Sequence, residues 1–442
     1  MQNNWRNKLF KQVDNSALVW FRMAFGFLLA CEAFGHIATG ALYKHFLEPQ
    51  FTFTFIDFSF LKVLPSPLMY GLFILMGIAG LCVMLGYKYR VAMTFYAVAW
   101  AYVYLLQKTS YNNHYYLLML LNFIMIGLPA HQSLSLDAKI KPGIRKEYMP
   151  QWIYFFIIAF LGIIYSYASI AKFYPDWIDL SFPRHLMRIR AKEWGFLQEH
   201  WAHIAIMIYG LTYDLLIVPF LLWKRTRWIA VGASIVFHIF NSIIFKIGIF
   251  PYLALAFIIF FFEPQQVKNW FFKKKTFYNE GKVIIPRNHR LLTTLLAGFL
   301  IIMTLLPLRH WVIKDNVLWT EEGHRLSWRM MLRNRVGQGT FYVENKATGE
   351  KTRVNYRDYL TPKQAAHVKS KPDFIWQFAQ HLKEKHRQNG EDIAVYARLH
   401  VSINGRPYQP FTNPRIDIAA TDWDRWKHHT WILPSRLYQN KD

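Results

Sequence analysis

Apolar blocks of near-membrane length constrain this chain more than any other feature. They fall at about 17–38, 68–87, 91–107, 115–130, 152–172, 202–223, 228–248, 249–263 and 291–308. A helix needs roughly 20 apolar residues to cross a hydrocarbon core of about 30 Å. In lipid its backbone groups must be satisfied within the segment. About nine helical spans are therefore expected, with 115–130 and 249–263 short enough to be partly re-entrant. Composition agrees, since hydrophobic residues make up 53% and charged residues only 18%, against roughly 25% in typical soluble domains. The two cysteines, Cys31 and Cys82, both lie in apolar blocks. That argues against a disulfide framework or a thiolate zinc site, and no metal is expected. The first block carries Arg22 and Glu32 with no small-residue cleavage site after it, so it reads as a retained helix and not a cleaved signal.

The formal charge of +25 invites a nucleic-acid reading, but many of the Lys and Arg residues stand in short loops between the blocks. There they set orientation and meet anionic lipid, so the expected partner is a bilayer and no nucleic acid. With the N-terminus inside, about nineteen basic loop residues fall on the cytoplasmic side against nine on the other, in keeping with the positive-inside rule. An odd number of spans then carries the tail out of the cytoplasm. The expected fold is mainly α: a polytopic helical membrane domain over 1–308, followed by an extracytoplasmic α+β or mostly-β domain over 309–442. In the tail, Phe341-Tyr342-Val343 and the alternating run from Ile393 to Ile403 read as strands, and Asp373 to Arg387 as an amphipathic helix. Asn345 to Gly349 and Asn404-Gly405 supply turn chemistry.

Ionisable residues inside spans are costly and mark cavities or helix–helix ties. Here they are Arg22, Glu32, Lys172, Asp214, His238 and Lys246. Arg22 and Glu32 read as a pair or as snorkelling groups, Asp214 as a tie between helices, and Lys246 as a snorkelling group at a span end. Three polar clusters stand out. Lys108-Thr109-Ser110-Tyr111-Asn112-Asn113-His114 reads, by itself, as a loop with a helix-capping Asn. Lys172, where the fifth block ends, reads as a cation at a helix C-terminus. His238 and Asn241 share a helical face, either as an interhelical hydrogen-bond pair or as ligand groups. On the expected topology, His114, Lys172, the loop with Arg188 and the tail all reach the same leaflet.

At these residues the sequence resembles the vitamin K-dependent γ-glutamyl carboxylase family, including bacterial members with an HTTM-type transmembrane domain. The resemblance rests on the 108–114 run, on Ala171-Lys172 with Asp176-Trp177, and on Phe237-His238, Asn241, Gly248 and Phe250-Pro251-Tyr252. It continues through Trp319-Thr320, Ser327-Trp328-Arg329-Met330-Met331, Val401 to Asn404 and Pro414-Arg415-Ile416-Asp417. It implies γ-carboxylation of protein glutamate using O2 and CO2, coupled to epoxidation of reduced vitamin K, a hydroquinone or menaquinol-like quinol. The γ-hydrogen is far too weakly acidic for a side-chain base near neutral pH. In the family the deprotonated quinol reacts with O2 to give a strong base that removes it.

By the same resemblance, Lys172 is the base that deprotonates the quinol, kept neutral by an apolar site, and His114 assists near the glutamyl group. Asn113, Trp319 and Ser327 are cofactor-pocket residues, and Arg188, Arg335 and Arg415 bind the substrate carboxylate. The implied partners are a glutamate-containing protein or peptide and the lipid bilayer, and the implied location is a bacterial cytoplasmic membrane. Competing readings are a non-catalytic quinone- or lipid-binding membrane protein, a quinol epoxidase without carboxylation, and a transporter. The transporter would require weak symmetry between the two halves.

Overall fold

In a computed structural model that describes residues 4–245 and 247–436, the apolar blocks are helices. Lys246, expected at a span end, lies outside the described residues. The helices used below are α1 (Ser16–Ala38), α2 (Ser66–Leu85), α3 (Tyr89–Leu106), α4 (Asn113–Gly127), α5 (Trp152–Ile170), α6 (Ser181–Arg190), α7 (His200–Leu222), α8 (Arg227–Phe245), α9 (Phe250–Phe257) and α10 (His289–Leu305). The expectation of about nine spans is met in part. Among the described residues six helices are long and apolar enough to cross a membrane: α1, α2, α5, α7, α8 and the stretch from His289 to Trp311 that begins with α10. The other three blocks are helical but fall short. Arg90 and five Tyr or Trp residues, Tyr89, Tyr96, Trp100, Tyr102 and Tyr104, dilute the hydropathy of α3. The helix α4 has 15 residues, and the apolar helix Phe250–Phe261 is shorter than a span.

Close packing of α1 on α2 is built on glycine. A Cβ at Gly26 would lie 2.2 Å from the backbone nitrogen of Met84, and one at Gly80 would lie 2.6 Å from that of Ala30. Small residues let membrane helices approach through their backbones, gaining dispersion contacts that lipid cannot supply. Arg22 and Glu32 do not pair with each other. Arg22 donates to the carbonyls of Ala130, Ser133 and Leu134 at 2.8 to 3.2 Å, satisfying the turn after α4. Glu32 instead faces His36 one turn along, with Nδ1 to Oε1 at 3.5 Å. A buried ion takes whichever partner the packing brings within reach.

The tail forms the expected α+β unit. A four-stranded antiparallel sheet runs in the order β4-β3-β5-β6, where β1 (Gln12–Asp14) and β2 (Tyr148–Pro150) make a separate small pair. Its long strands, β3 (Arg335–Asn345) and β5 (Ile393–Ile403), pair over their full length from Arg335↔Ile403 to Asn345↔Ile393. The strand β4 is Lys351–Arg353 and β6 is Gln409–Pro410. After α11 (Pro362–Val368), helix α12 (Pro372–Gln388) packs Phe374, Ile375, Phe378 and Leu382 against Phe341, Val395 and Leu399 of the sheet. The same core takes in Phe53 and Ala171 from the helical region. Asp176 completes the joint, accepting from Asn404 Nδ2 at 2.8 Å and Arg406 Nη2 at 2.5 Å.

Candidate active site

Two adjoining cavities lie where the helical region meets the tail. The smaller, about 100 Å³, is apolar and aromatic, lined by Tyr165, Trp177, Tyr209, Phe237, Phe240, Phe245 and Phe250. Lys172, Asp214, His238 and Asn241 bring polar groups into its wall. The larger, about 920 Å³, carries five cations, Arg325, Arg329, Arg333, Arg335 and Lys371, against the carboxylates Glu32 and Glu321. His114, Ile247, Met330 and Met331 line both.

Helix ends place Lys172 and His114 in the chamber, while Asp214 and His238 project from the middles of α7 and α8. The helix α5 stops at Ile170, and the turn after it buries Lys172, whose Nζ pairs with Asp214 of α7 and stands 5.5 Å from the Trp177 ring. The amine that sequence reasoning placed in an apolar site thus has a buried carboxylate against it as well as the chamber beside it, a contact that offsets the cost of desolvating charge. His238 of α8 meets the hydroxyl of Tyr213 at 3.1 Å and that of Tyr165 at 3.4 Å, and its Nδ1 has no partner among the described residues. His114, in the first turn of α4, stacks on Phe250 with ring centroids 3.8 Å apart. Lys172 and His114 therefore face one chamber.

The polar cavity is shaped by the segment 321–331, in which Glu321, Leu326, Trp328 and Met331 all have positive φ, from 49° to 61°. Such backbone is unfavourable for side-chain-bearing residues and persists where surrounding contacts fix it. Those contacts come from the 108–114 run. The Tyr111 hydroxyl accepts from Leu326 N at 2.7 Å and Asn113 Nδ2 donates to the Arg329 carbonyl at 2.9 Å, while Lys108 pairs at 2.8 Å with Asp373 of α12, which in turn holds Arg325. The expected cap is present as well, with Asn112 Oδ1 accepting from Tyr115 N at 2.7 Å. Gly337 of β3 seats the opposite wall. A Cβ there would stand 1.9 Å from the Lys369 carbonyl, so only glycine lets the Lys369–Lys371 corner pack onto the strand.

The electrostatics of this cavity follow from burial and crowding of cations. Burial disfavours ionisation of Glu321, yet Arg333 and Arg335 beside it hold its carboxyl below the usual range. Burial pushes the Lys371 ammonium down to about 7, with Arg325 adding to the shift. His324 is driven well below its ordinary value, first by burial and then by Arg333 and Arg329. The result is a pocket with an excess of positive charge and a neutral imidazole, suited to an anion.

Residues 10–266 match the HTTM domain family, and residues 288–437 match the family described as vitamin K-dependent gamma-carboxylase, lumenal domain. The chain belongs to the vitamin K-dependent γ-carboxylase family. No solved structure matches it. Family membership implies a carboxylase that uses vitamin K, and together with the six apolar helices it makes the chain an integral membrane protein.

Against that family frame, the residues expected from sequence separate into three groups. Lys172 and His114 come together at the apolar chamber, and Asn113, His114 and Arg335 line the polar cavity. Trp319 and Ser327 are buried and line neither. Trp319 instead donates to the Leu433 carbonyl at 2.7 Å and lies under the Arg335 guanidinium, while the Ser327 hydroxyl donates to the His324 carbonyl. Both support the cavity from behind. Arg188 and Arg415 are exposed and line neither cavity. Sequence reasoning missed the cavity roles of Glu321, His324, Arg333 and Lys371. It read Asp214 as a helix tie, without naming Lys172 as its partner.

Proposed function

We propose that the chain carries out vitamin K-dependent γ-carboxylation of glutamyl side chains, with the quinol ring in the apolar chamber and the glutamyl side chain in the polar cavity. One arrangement supports the reading most: Lys172 with Asp214, and His114, line a single aromatic chamber whose wall is shared with a cation-rich cavity. An apolar, aromatic lining with a few convergent polar groups suits a planar phenol. The chamber is smaller than the roughly 150 Å³ that takes a benzene ring, so a two-ring head also needs room at the Met330–Met331 wall. Reduced vitamin K, with O2, supplies the oxidative drive for removing a γ-hydrogen that no side-chain base takes near neutral pH.

The protein's own groups do the rest. Within the buried pair, Lys172 Nζ hands its proton to Asp214 Oδ2, which frees the amine to accept the phenol proton. Until that proton arrives the pair carries no net charge, which a low-dielectric site favours. His114, held flat on Phe250 in the shared wall, stands between the ring and the glutamyl chain. A γ-carbanion beside a carboxylate gathers a second negative charge. Arg335, Lys371, Arg329 and Arg333 therefore stabilise the transition state more than the ground state. Asn113 acts through the Arg329 carbonyl, and Trp319 and Ser327 through the loop and guanidinium they hold. Arg188 and Arg415 meet the substrate only on its approach. On this reading the N-terminus is cytoplasmic and the tail extracytoplasmic, in a bacterial membrane, which needs an odd number of crossings, so one or all three of the shorter helices α3, α4 and Phe250–Phe261 cross beside the six long ones.

The test supplies purified chain in nanodiscs with vitamin K hydroquinone, O2, labelled bicarbonate and a Glu-containing peptide. The expected outcome is labelled peptide and quinone epoxide together, falling by about 10²- to 10⁴-fold in Lys172→Ala. Unchanged incorporation in that variant removes Lys172 as the base. Epoxide without labelled peptide in the wild type favours an epoxidase.

A further inference from the structure

The wall between the two cavities is made of four side chains, and two of them are unbranched thioethers. Met330 and Met331 are half-buried and line both sides. Their backbone, by contrast, is tied down at either end. The Arg329 carbonyl is held by Asn113, Asn334 N donates to Asn404 Oδ1 at 2.8 Å, and Asn334 Nδ2 meets His185 Nε2 at 2.6 Å. Trp328 and Leu332, flanking the pair, are each only 1% exposed. Met331 itself sits at φ 49°, a conformation that leaves little slack for the backbone to slide. Motion of this wall therefore has to come from the side chains. Methionine, with three rotatable bonds and no branch, is the apolar residue best suited to it.

The rest of the apolar chamber is stiffer. Trp177 is anchored by donating to the Met207 carbonyl at 3.3 Å, Phe237 stacks on Tyr213 at 4.0 Å, and Phe250 is sandwiched against His114. A ring that exceeds the chamber's volume of about 100 Å³ meets least resistance at the thioethers. Behind them lies the open space of the large cavity, so nothing has to be compressed when they swing.

We propose that Met330 and Met331 form a movable partition between the quinol chamber and the glutamyl cavity, displaced by the bound quinol ring. This rests on the function proposed above and adds a coupling device to it. With the chamber empty, the thioethers close the wall beside His114. With the quinol seated, they turn into the large cavity and open a path between the ring and the glutamyl side chain. Because one partition borders both sites, a peptide that packs against the displaced thioethers raises quinol affinity, and quinol raises peptide affinity by the same factor.

Two measurements test this, one of them independent of turnover. In protein labelled with [methyl-¹³C]methionine in nanodiscs, the resonances of Met330 and Met331 are identified by their loss in Met330→Leu and Met331→Leu. Adding a short-chain vitamin K hydroquinone is expected to move both, while the lipid-facing Met23 stays in place. Unmoved Met330 and Met331 resonances, with quinol binding shown by fluorescence quenching in the same sample, overturn the partition. In the coupled assay, Met330→Ala/Met331→Ala is expected to raise the ratio of epoxide formed to CO2 fixed several-fold, and the double Leu variant to stay near wild type. If the double Ala variant keeps the wild-type ratio, the partition is wrong although the carboxylase reading stands. If wild-type protein fixes no CO2 and forms no epoxide, the carboxylase reading itself fails.

Discussion

Separating what Lys172 and Asp214 do for stability from what they do for chemistry takes three variants. Both side chains are 6% exposed and in direct contact. Lys172→Ala leaves a buried carboxylate without its counter-ion, and Asp214→Asn leaves a buried ammonium. Breaking a buried pair from one side destabilises by about 3–5 kcal/mol, because the surviving charge is stranded. Replacing both by apolar groups of similar volume, Lys172→Met with Asp214→Leu, removes the stranded charge and is expected to return stability to within about 1 kcal/mol of wild type, or above it. Activity should not follow stability. Two of the variants lose the accepting amine and Asp214→Asn loses the carboxylate that frees it, so CO2 fixation falls by about 10²- to 10⁴-fold in each. Thermal unfolding in nanodiscs reads the first quantity and labelled-peptide formation the second. A double variant that is stable and still fixes CO2 near the wild-type rate refutes the assignment. Single variants as stable as wild type refute the buried pair.

Three further outcomes follow from the geometry. Gly80→Val should destabilise the helical region by about 1–3 kcal/mol through overpacking of α1 on α2, seen as a lower midpoint of thermal unfolding, and an unchanged midpoint contradicts the contact. Lys371 is charged below about 7 and neutral above it, with Arg325, Arg333, His324, Glu321 and Asp373 around it. The KM for a Glu peptide should therefore rise as pH increases through 7, and Lys371→Met should abolish that rise while leaving KM high throughout. Arg335→Met should raise peptide KM at least ten-fold, whereas Arg188→Ala and Arg415→Ala, which alter exposed side chains, should change it by less than about three-fold. Equal effects from all three would mean that the peptide binds outside the polar cavity.

How far the sequence led is clearest at particular residues. Apolar block length located the long helices of the membrane region, because lipid forces backbone pairing within each segment, but not short polar helices such as α6. It marked the two short blocks, which are α4 and α9, as doubtful spans, but counted α3, whose aromatic hydroxyl and indole groups dilute its hydropathy. Period-2 alternation gave β5, and turn chemistry gave Asn404-Gly405, both local signals. Lys172 and His114 were legible through their polar character in apolar surroundings. The Asp214 partnership was not, because it joins helices 42 positions apart in sequence and no periodicity encodes which face meets which. Lys371 and Arg333 look like ordinary surface cations in a basic chain. Only the strained 321–331 segment and the close approach at Gly337 bring them to one cavity.

The central claim is that the apolar chamber beside Lys172 receives the quinol. It is tested most directly by irradiating the chain in nanodiscs with a photoreactive naphthoquinone and mapping the labelled peptides by mass spectrometry. The account predicts labels on the stretch from Phe237 to Phe250 and at Met330–Met331, both suppressed by excess vitamin K hydroquinone. Labels confined to the lipid-facing surfaces, or to the separate cavity of about 490 Å³ lined by Phe55, Met119 and Trp423, would contradict it.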